Sequence, residues 1–128
     1  MAKSELIKGK ASIPTSGIAG AVTVQVVTYV APRFVPSGEV IQMAVLPAGS
    51  RLLDLSVMCS VSGFLVLGYD YGEGLKGDFF DGEVTKGLMH RVTKGLGGKV
   101  LQHEDRIIGV QCNLNAGQSI YLQMQYAF

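Results

Sequence analysis

The stretch from Gly38 to Val61 constrains the fold of this chain most, because its apolar residues recur at every second position. Its sequence is GEVIQMAVLPAGSRLLDLSVMCSV, two extended runs separated by the turn-forming Pro47-Ala48-Gly49. The apolar face of the second run is expected to hold Leu53, Leu55, Val57, Cys59 and Val61. Alternation with a period of two is what a half-buried β-strand requires, since successive side chains point to opposite faces. The stretch therefore predicts a β-hairpin packed on a core.

Runs of the same kind recur along the chain, at residues 21–30, 64–71, 105–114 and 118–128. In the first of them, valines alternate with Thr, Gln and Tyr. Turn-forming residues separate the runs about every 8–12 residues, the spacing typical of a sandwich or small barrel. Glycines across 72–99 argue against a long helix and leave room for one helical turn near 83–91. We therefore predict six or seven strands in an all-β, antiparallel β-sandwich that is jelly-roll-like.

The first twenty residues differ from the rest in being small, polar and interrupted by Pro14. Such a segment is typical of an arm, so we predict an N-terminal arm over 1–20 and a single β-sandwich domain over 21–128. Two interpretations of the arm stay open, a disordered terminus and a segment that orders on a partner. In the second case its apolar anchors are Leu6, Ile7 and Ile13.

Charge is scarce in this chain. Only 16% of the residues are charged, 48% are hydrophobic and the formal net charge is +1. A β-domain with so few charges predicts apolar surface in contact with another protein, whereas the charge balance gives no support to nucleic-acid or anionic-membrane binding. The chain has no apolar run near the ~18–20 residues of a membrane span and nothing like a secretory signal, so we expect synthesis in a cytoplasm.

Two cysteines, Cys59 and Cys112, fall on the inferred apolar faces of strands. We expect both to be buried thiols that pack as small hydrophobes. A disulfide requires that their strands face each other, which the pattern does not decide.

A glycine-rich segment starts at Gly72 and matches G-x-G-x-x-G through Gly77. A dinucleotide site needs a helix to begin there, whereas the following DFFDG is a poor helix former and places carboxylates where phosphate would lie. We therefore interpret the segment as a loop. The loop also carries acidic residues, interpreted as a solvated stretch without a calcium-site pattern. These are Asp70, Glu73, Asp78, Asp81 and Glu83.

Other candidate chemistry is equally sparse. Neither His90 nor His103 has a Cys or His partner at ligand spacing, and both are expected on the surface. We predict no catalytic residue, no metal site and no cofactor, hence a protein that is not an enzyme. A local echo, VTKGL at 84–88 and again at 92–96, is interpreted as two edges of one hairpin or as chance.

Phe79 and Phe80 are adjacent aromatics beside the glycine loop. One interpretation buries one ring and leaves the other partly exposed. The other, which we favour because charge is scarce, is a contact patch that docks into a neighbouring protein.

Three segments of the chain resemble one protein family. They are GEVIQMAVLPAGSRLLDLSV at 38–57, FLVLGYDYGEG at 64–74 and DRIIGVQCNLNAGQSIYLQMQYAF at 105–128. Their strands, turns and glycine loop are similar to those of small structural head proteins of tailed bacteriophages, which act as decoration or cement proteins outside the capsid shell. The resemblance covers about 38–128 and gives no motif for the preceding residues.

The resemblance implies a jelly-roll cement protein that binds the outer surface of the phage head and stabilises contacts between major capsid subunits. The implied partners are the major capsid protein and the chain itself, with a homodimer favoured over a trimer. The implied location is the exterior of the virion, after synthesis in the host cytoplasm, with no role for nucleic acid or membrane. We expect the contact residues to be Leu6, Ile7, Ile13, Phe79 and Phe80.

Two other functions fit the same strand pattern. The first is a tail or head–tail component or a receptor-binding β-sandwich. The absence of Trp counts against glycan binding, because such sites usually contain an aromatic platform. The second is a small β enzyme acting on nucleotides, which would require the carboxylates of 70–83 to converge on one pocket.

Overall fold

Nine β-strands and no helix make up the part of the chain that the computed structural model describes. The described residues are 2–3, 22–70, 72, 75, 77–96 and 105–128. The strands are β1 (Ala2–Lys3), β2 (Val22–Val30), β3 (Val40–Leu46), β4 (Arg51–Cys59), β5 (Gly63–Tyr69), β6 (Phe80–Val84), β7 (His90–Arg91), β8 (Arg106–Cys112) and β9 (Ser119–Ala127).

The strands form two sheets, a five-stranded sheet in the order β1-β3-β8-β5-β6 and a four-stranded sheet in the order β2-β9-β4-β7. Every pairing is antiparallel except that of β1, which runs parallel to β3 beside Ile41 and Gln42. From β2 to β5 the chain changes sheet with each strand, and the resulting order of β2 to β9 is that of a jelly roll. The hairpin predicted over 38–61 is therefore wrong: β3 pairs with β8 and β4 with β9, so the turn between them connects the two sheets. The prediction of an all-β, jelly-roll-like sandwich is confirmed.

The helical turn for which residues 83–91 left room does not form. There β6 ends at Val84, the chain turns at Gly87 and β7 begins at His90. The segment is extended at both ends, and Gly87 between them has a φ of 72°, so too few residues remain to form a helix.

The core lies between the two sheets and takes apolar side chains from both. Their removal from water is the main favourable term that holds the sheets together. The largest buried side chains include Tyr126, Phe79, Ile41, Met43, Leu46, Leu52, Leu55, Leu65, Leu67, Ile108, Leu114 and Ile120.

A β-bulge in β4 corrects the predicted apolar face of that strand. Between Leu52 and Asp54 the register against β9 shifts by one residue. Leu52 is therefore fully buried, whereas Leu53, predicted to face the core, is 39% exposed. Beyond the bulge Leu55 and Val57 face the core as predicted. A bulge adds one residue to one strand only, and this changes which side of the sheet the residues before it face.

In β2 the inward face carries a polar residue. Gln25 is 2% exposed, and its Nε2 donates to the carbonyl oxygen of Val45 in β3 at 3.0 Å and to the Tyr126 hydroxyl at 3.2 Å. The first bond joins the two sheets through the core. A buried amide is costly without partners, so these bonds offset part of the cost of turning Gln25 inward, while its Oε1 is buried without a hydrogen-bond partner.

The predicted boundary between arm and domain falls largely outside the described residues. Ala2 and Lys3 form the edge strand of the five-stranded sheet. Leu6, Ile7 and Ile13 lie outside the described residues, and the division into 1–20 and 21–128 stays a prediction.

Candidate interaction surface

The acidic loop after β5 is tied to the backbone by its carboxylates. Asp70 accepts from Gln42 Nε2 at 2.8 Å and from the Gly72 backbone N–H at 2.9 Å. Asp78 accepts from the Tyr69 backbone N–H at 3.0 Å. These two carboxylates therefore hold the loop against the sheet, and the described residues contain no group of acidic, His or Cys side chains suited to a metal ion.

The same loop packs on the outer face of the five-stranded sheet, where Gly68 and Gly109 are paired. A β-carbon at Gly68 would lie 3.0 Å from the Asp78 backbone nitrogen, and one at Gly109 would lie 3.2 Å from Leu75 Cδ2. The two glycines thus give the loop room to approach. After Gly77 the chain continues into β6 instead of a helix, so the structural context of a dinucleotide fingerprint is missing here.

The aromatic pair beside this loop is divided between core and surface. Phe79 is 1% exposed and packs edge-on against Tyr69, with ring centroids 4.9 Å apart. Phe80 is half-buried and tilts against His90, with centroids 5.3 Å apart. The His90 ring is also half-buried, which corrects its expected surface position, whereas His103 lies outside the described residues. A contact role for the pair stays a prediction, and burial leaves Phe80 as the ring that a partner could reach.

Among the described residues, the outer face of β2 carries a run of exposed apolar side chains. Val22, Val24, Val26 and Val30 are 45–58% exposed, and we call them the β2 valine strip. Thr28, also exposed, completes the same face. Sequence reasoning separated the two faces of β2 correctly but did not assign which one faces out. The buried Gln25 makes that assignment hard, because hydrophobicity alone favours the valine face for the core.

β2 is also an edge strand. In the described part of the chain it pairs with β9 on one side only. An unprotected edge presents backbone N–H and C=O groups to which another strand can bond. The β2 valine strip therefore borders a strand edge that no other described strand covers, a combination suited to binding another β-rich protein.

A second group of exposed apolar residues occupies the loops and strand ends. Phe34, Phe64, Leu88 and Met89 are 41–58% exposed. Phe64 lines a cavity of about 260 Å³ that reaches inward to Cys59 and Cys112. The chain's two cysteines, whose proximity the sequence left open, thus meet between the sheets as free, buried thiols. Their burial was predicted.

The described strands define an all-β jelly-roll sandwich with an apolar strip on the outer face of β2. No helix in the described residues is long and apolar enough to span a membrane.

No protein-family model and no curated protein matches the chain. Solved structures share its fold. A chain of the Ralstonia phage GP4 capsid superposes with a TM-score of 0.82 at 18% identity, over 98% of this chain and 96% of that one. A chain of the cyanophage Pam1 capsid asymmetric unit gives 0.67 at 16% identity, over 92% of each chain. A chain of the acid-stable capsid of Helicobacter pylori bacteriophage KHP30 gives 0.54 at 11% identity, over 87% and 90%. At such identities the likeness establishes the common fold.

Proposed function

We propose that this protein is a structural component of a phage virion, a decoration or cement protein that binds the outside of the head and stabilises contacts between major capsid subunits. The observation that carries the proposal is the exposed β2 valine strip along an edge strand, on a fold that chains of three phage capsid structures share over most of their length. No catalytic group takes part in this role.

The β2 valine strip suits such a role for a physical reason. Four valines that are about half exposed or more place a row of apolar surface in water, and covering apolar surface is favourable by roughly 25 cal/mol per Å². Adjacent positions on β9 are polar, including Gln123 and Gln125, which pair with Val26 and Val24. The β2 valine strip therefore lies beside a polar strand at the edge of the sheet, where a partner strand would also satisfy the backbone.

A cement protein stabilises a shell by mass action. Whatever binds the assembled lattice better than its separate subunits shifts the equilibrium towards the lattice. We infer that the partners are the major capsid protein and a second copy of this chain. A homodimer is favoured over a trimer because two β2 edges can pair antiparallel across a two-fold axis. Leu6, Ile7, Ile13 and Phe80 remain proposed as further contacts.

The experiment measures co-sedimentation of the purified protein with shells of the cognate major capsid protein. The variant Val24→Lys/Val26→Lys places two charges on the strip, and Thr85→Lys/Thr93→Lys places two charges on exposed loop positions. We expect the strip variant to lose at least tenfold in shell affinity while the loop variant binds like the wild type. Equal binding by all three proteins would remove the strip from the interface.

Two further results bear on the function itself. Failure of the wild-type protein to bind shells, together with binding to a glycan array, would favour the receptor-binding alternative. Deletion of residues 1–20 tests the arm, because unchanged binding and shell stability would exclude its proposed role.

A further inference from the structure

Cys59 and Cys112 approach each other from opposite sheets. Cys59 is the last residue of β4 in the four-stranded sheet, and Cys112 is the last residue of β8 in the five-stranded sheet. They are 2% and 4% exposed, and their thiol groups hydrogen-bond each other. Both side chains line one cavity between the sheets, and a disulfide would require their sulfurs to approach to about 2.05 Å.

The thiols lie at the inner end of the 260 Å³ cavity. Its other walls include residues exposed at the protein surface, such as Ser62, Phe64 and Asn113. A water molecule takes up about 30 Å³ of liquid, so this cavity has room for a small oxidant such as hydrogen peroxide. The described residues that line it include no carboxylate, lysine, arginine or histidine, so the two thiols are its reactive groups.

We propose that Cys59 and Cys112 form a modification site for small hydroperoxides, at which oxidation creates a disulfide between the two sheets. The two cysteines are separated by about fifty residues of chain and belong to different sheets, so the bond would join the two layers of the sandwich.

The Cys59 sulfur is the attacking atom. Hydrogen bonds from the Cys112 thiol and from backbone groups at Val61 and Ser60 lower the pKa of Cys59, while the pKa of Cys112 is raised by its bond to Cys59 and by burial. The thiolate is the nucleophilic form of cysteine. The directions of these two pKa shifts, together with the cavity that both thiols line, favour Cys59 as the sulfur that reacts first and Cys112 as the resolving sulfur.

Oxidation proceeds in two balanced steps. The Cys59 thiolate attacks one peroxide oxygen, an S–O bond forms, the O–O bond breaks, and the departing hydroxide takes a proton to become water. The Cys112 sulfur then attacks the Cys59 sulfenic acid, an S–S bond forms, the S–O bond breaks, and hydroxide leaves with the Cys112 proton as water. Overall the two thiols lose two electrons and one peroxide is reduced to two waters.

The test treats the folded full-length chain with hydrogen peroxide, removes the excess with catalase, unfolds the protein and alkylates it with iodoacetamide. Mass spectrometry is expected to show a monomer lighter by two hydrogen atoms, with neither cysteine alkylated and the two cysteine peptides linked. The melting temperature of the oxidised protein should rise by several degrees and return after dithiothreitol. Two alkylated cysteines after treatment, or linkage between chains only, would overturn the proposal.

Single variants separate the two roles. In Cys112→Ser the remaining thiol should be trapped by dimedone as a sulfenic acid faster than the remaining thiol of Cys59→Ser, and neither variant should show the rise in melting temperature. Equal trapping would overturn the assignment of Cys59 as the attacking residue. If a variant does not fold, peptide linkage in the wild-type protein still decides whether the disulfide forms.

Discussion

Gly95 lies directly against Phe79. A β-carbon at Gly95 would be 2.8 Å from Phe79 Cδ1 and 2.7 Å from the Asp78 carbonyl oxygen, and its φ is 78°. Gly87 occupies the same position in the other copy of the VTKGL echo and has a similar φ of 72°, but no atom lies within 4 Å of its β-carbon position. In both copies the valine is buried and the Thr-Lys pair is exposed. The two copies share the left-handed glycine and the burial pattern, but only the first closes a turn, with the Leu88 N–H donating to the Thr85 carbonyl oxygen at 3.0 Å.

The first prediction compares alanine at these two glycines. At Gly87→Ala the left-handed φ should lower the free energy of unfolding by about 1–2 kcal/mol. At Gly95→Ala the loss in free energy of unfolding should be larger by about 1–3 kcal/mol, because the added methyl group clashes with Phe79. Urea unfolding of the two variants measures the difference, and equal losses would show that the contact with Phe79 is not tight.

The second prediction concerns the aromatic pair. Phe79→Ala removes a ring that is 1% exposed and should lower the free energy of unfolding by about 3–5 kcal/mol. Phe80→Ala should cost less, because that ring is only half-buried. Thermal and urea unfolding measure both, and shell co-sedimentation of Phe80→Ala tests its contact role. A larger loss at Phe80 than at Phe79 would contradict the order of burial.

The third prediction compares neighbouring valines on opposite faces of β2. Val26 is 56% exposed and Val27 is 6% exposed. Val26→Thr should leave the free energy of unfolding within about 0.5 kcal/mol, as is usual for surface changes. Val27→Thr buries a hydroxyl in the core and should cost about 1–3 kcal/mol. Urea unfolding is the measurement, and a reversed order would mean that β2 turns its other face to the core.

The fourth prediction concerns the pH dependence of Cys59. Its pKa is lowered from the ordinary 9.0, chiefly by the hydrogen bond from Cys112. The rate at which peroxide oxidises the native protein should therefore rise with pH and reach half its maximum below pH 9.0. The folded protein binds this proton less tightly than the unfolded chain does. The Cys59 thiol therefore stabilises the fold above its unfolded pKa, and this contribution is lost as the pH falls through its folded pKa. Cys112, whose pKa is raised, has the opposite effect on stability: its contribution to the free energy of unfolding is lost as the pH rises into the alkaline range.

Two variants isolate this hydrogen bond. Cys112→Ser keeps a hydroxyl donor and should keep the midpoint of the rate profile low, whereas Cys112→Ala removes the donor and should move the midpoint up. Dimedone trapping at a series of pH values measures both profiles. The same midpoint in the two variants would exclude the hydrogen bond as the cause.

Much of the local structure follows from side-chain periodicity. Alternation predicted the strands β3 and β4, and the burial of Leu55 and Val57 confirms the face of β4 beyond its bulge. The predicted hairpin is wrong, because the two strands belong to different sheets and pair with other strands. The prediction failed at Leu53, because a bulge changes the register of β4 and the local sequence does not predict that bulge. The site was harder to predict. The β2 valine strip consists of strand-forming residues like those of the core, whereas the face that the structure buries carries Gln25 together with Val27 and Tyr29.

The sequence alone therefore determined where strands and turns occur, since both depend on the conformational preferences of neighbouring residues. Tertiary structure decided the strand order, the outward face of β2 and the meeting of Cys59 with Cys112. The reason is that these features depend on residues far apart in the chain, which are brought together when the two sheets bury their apolar faces against each other.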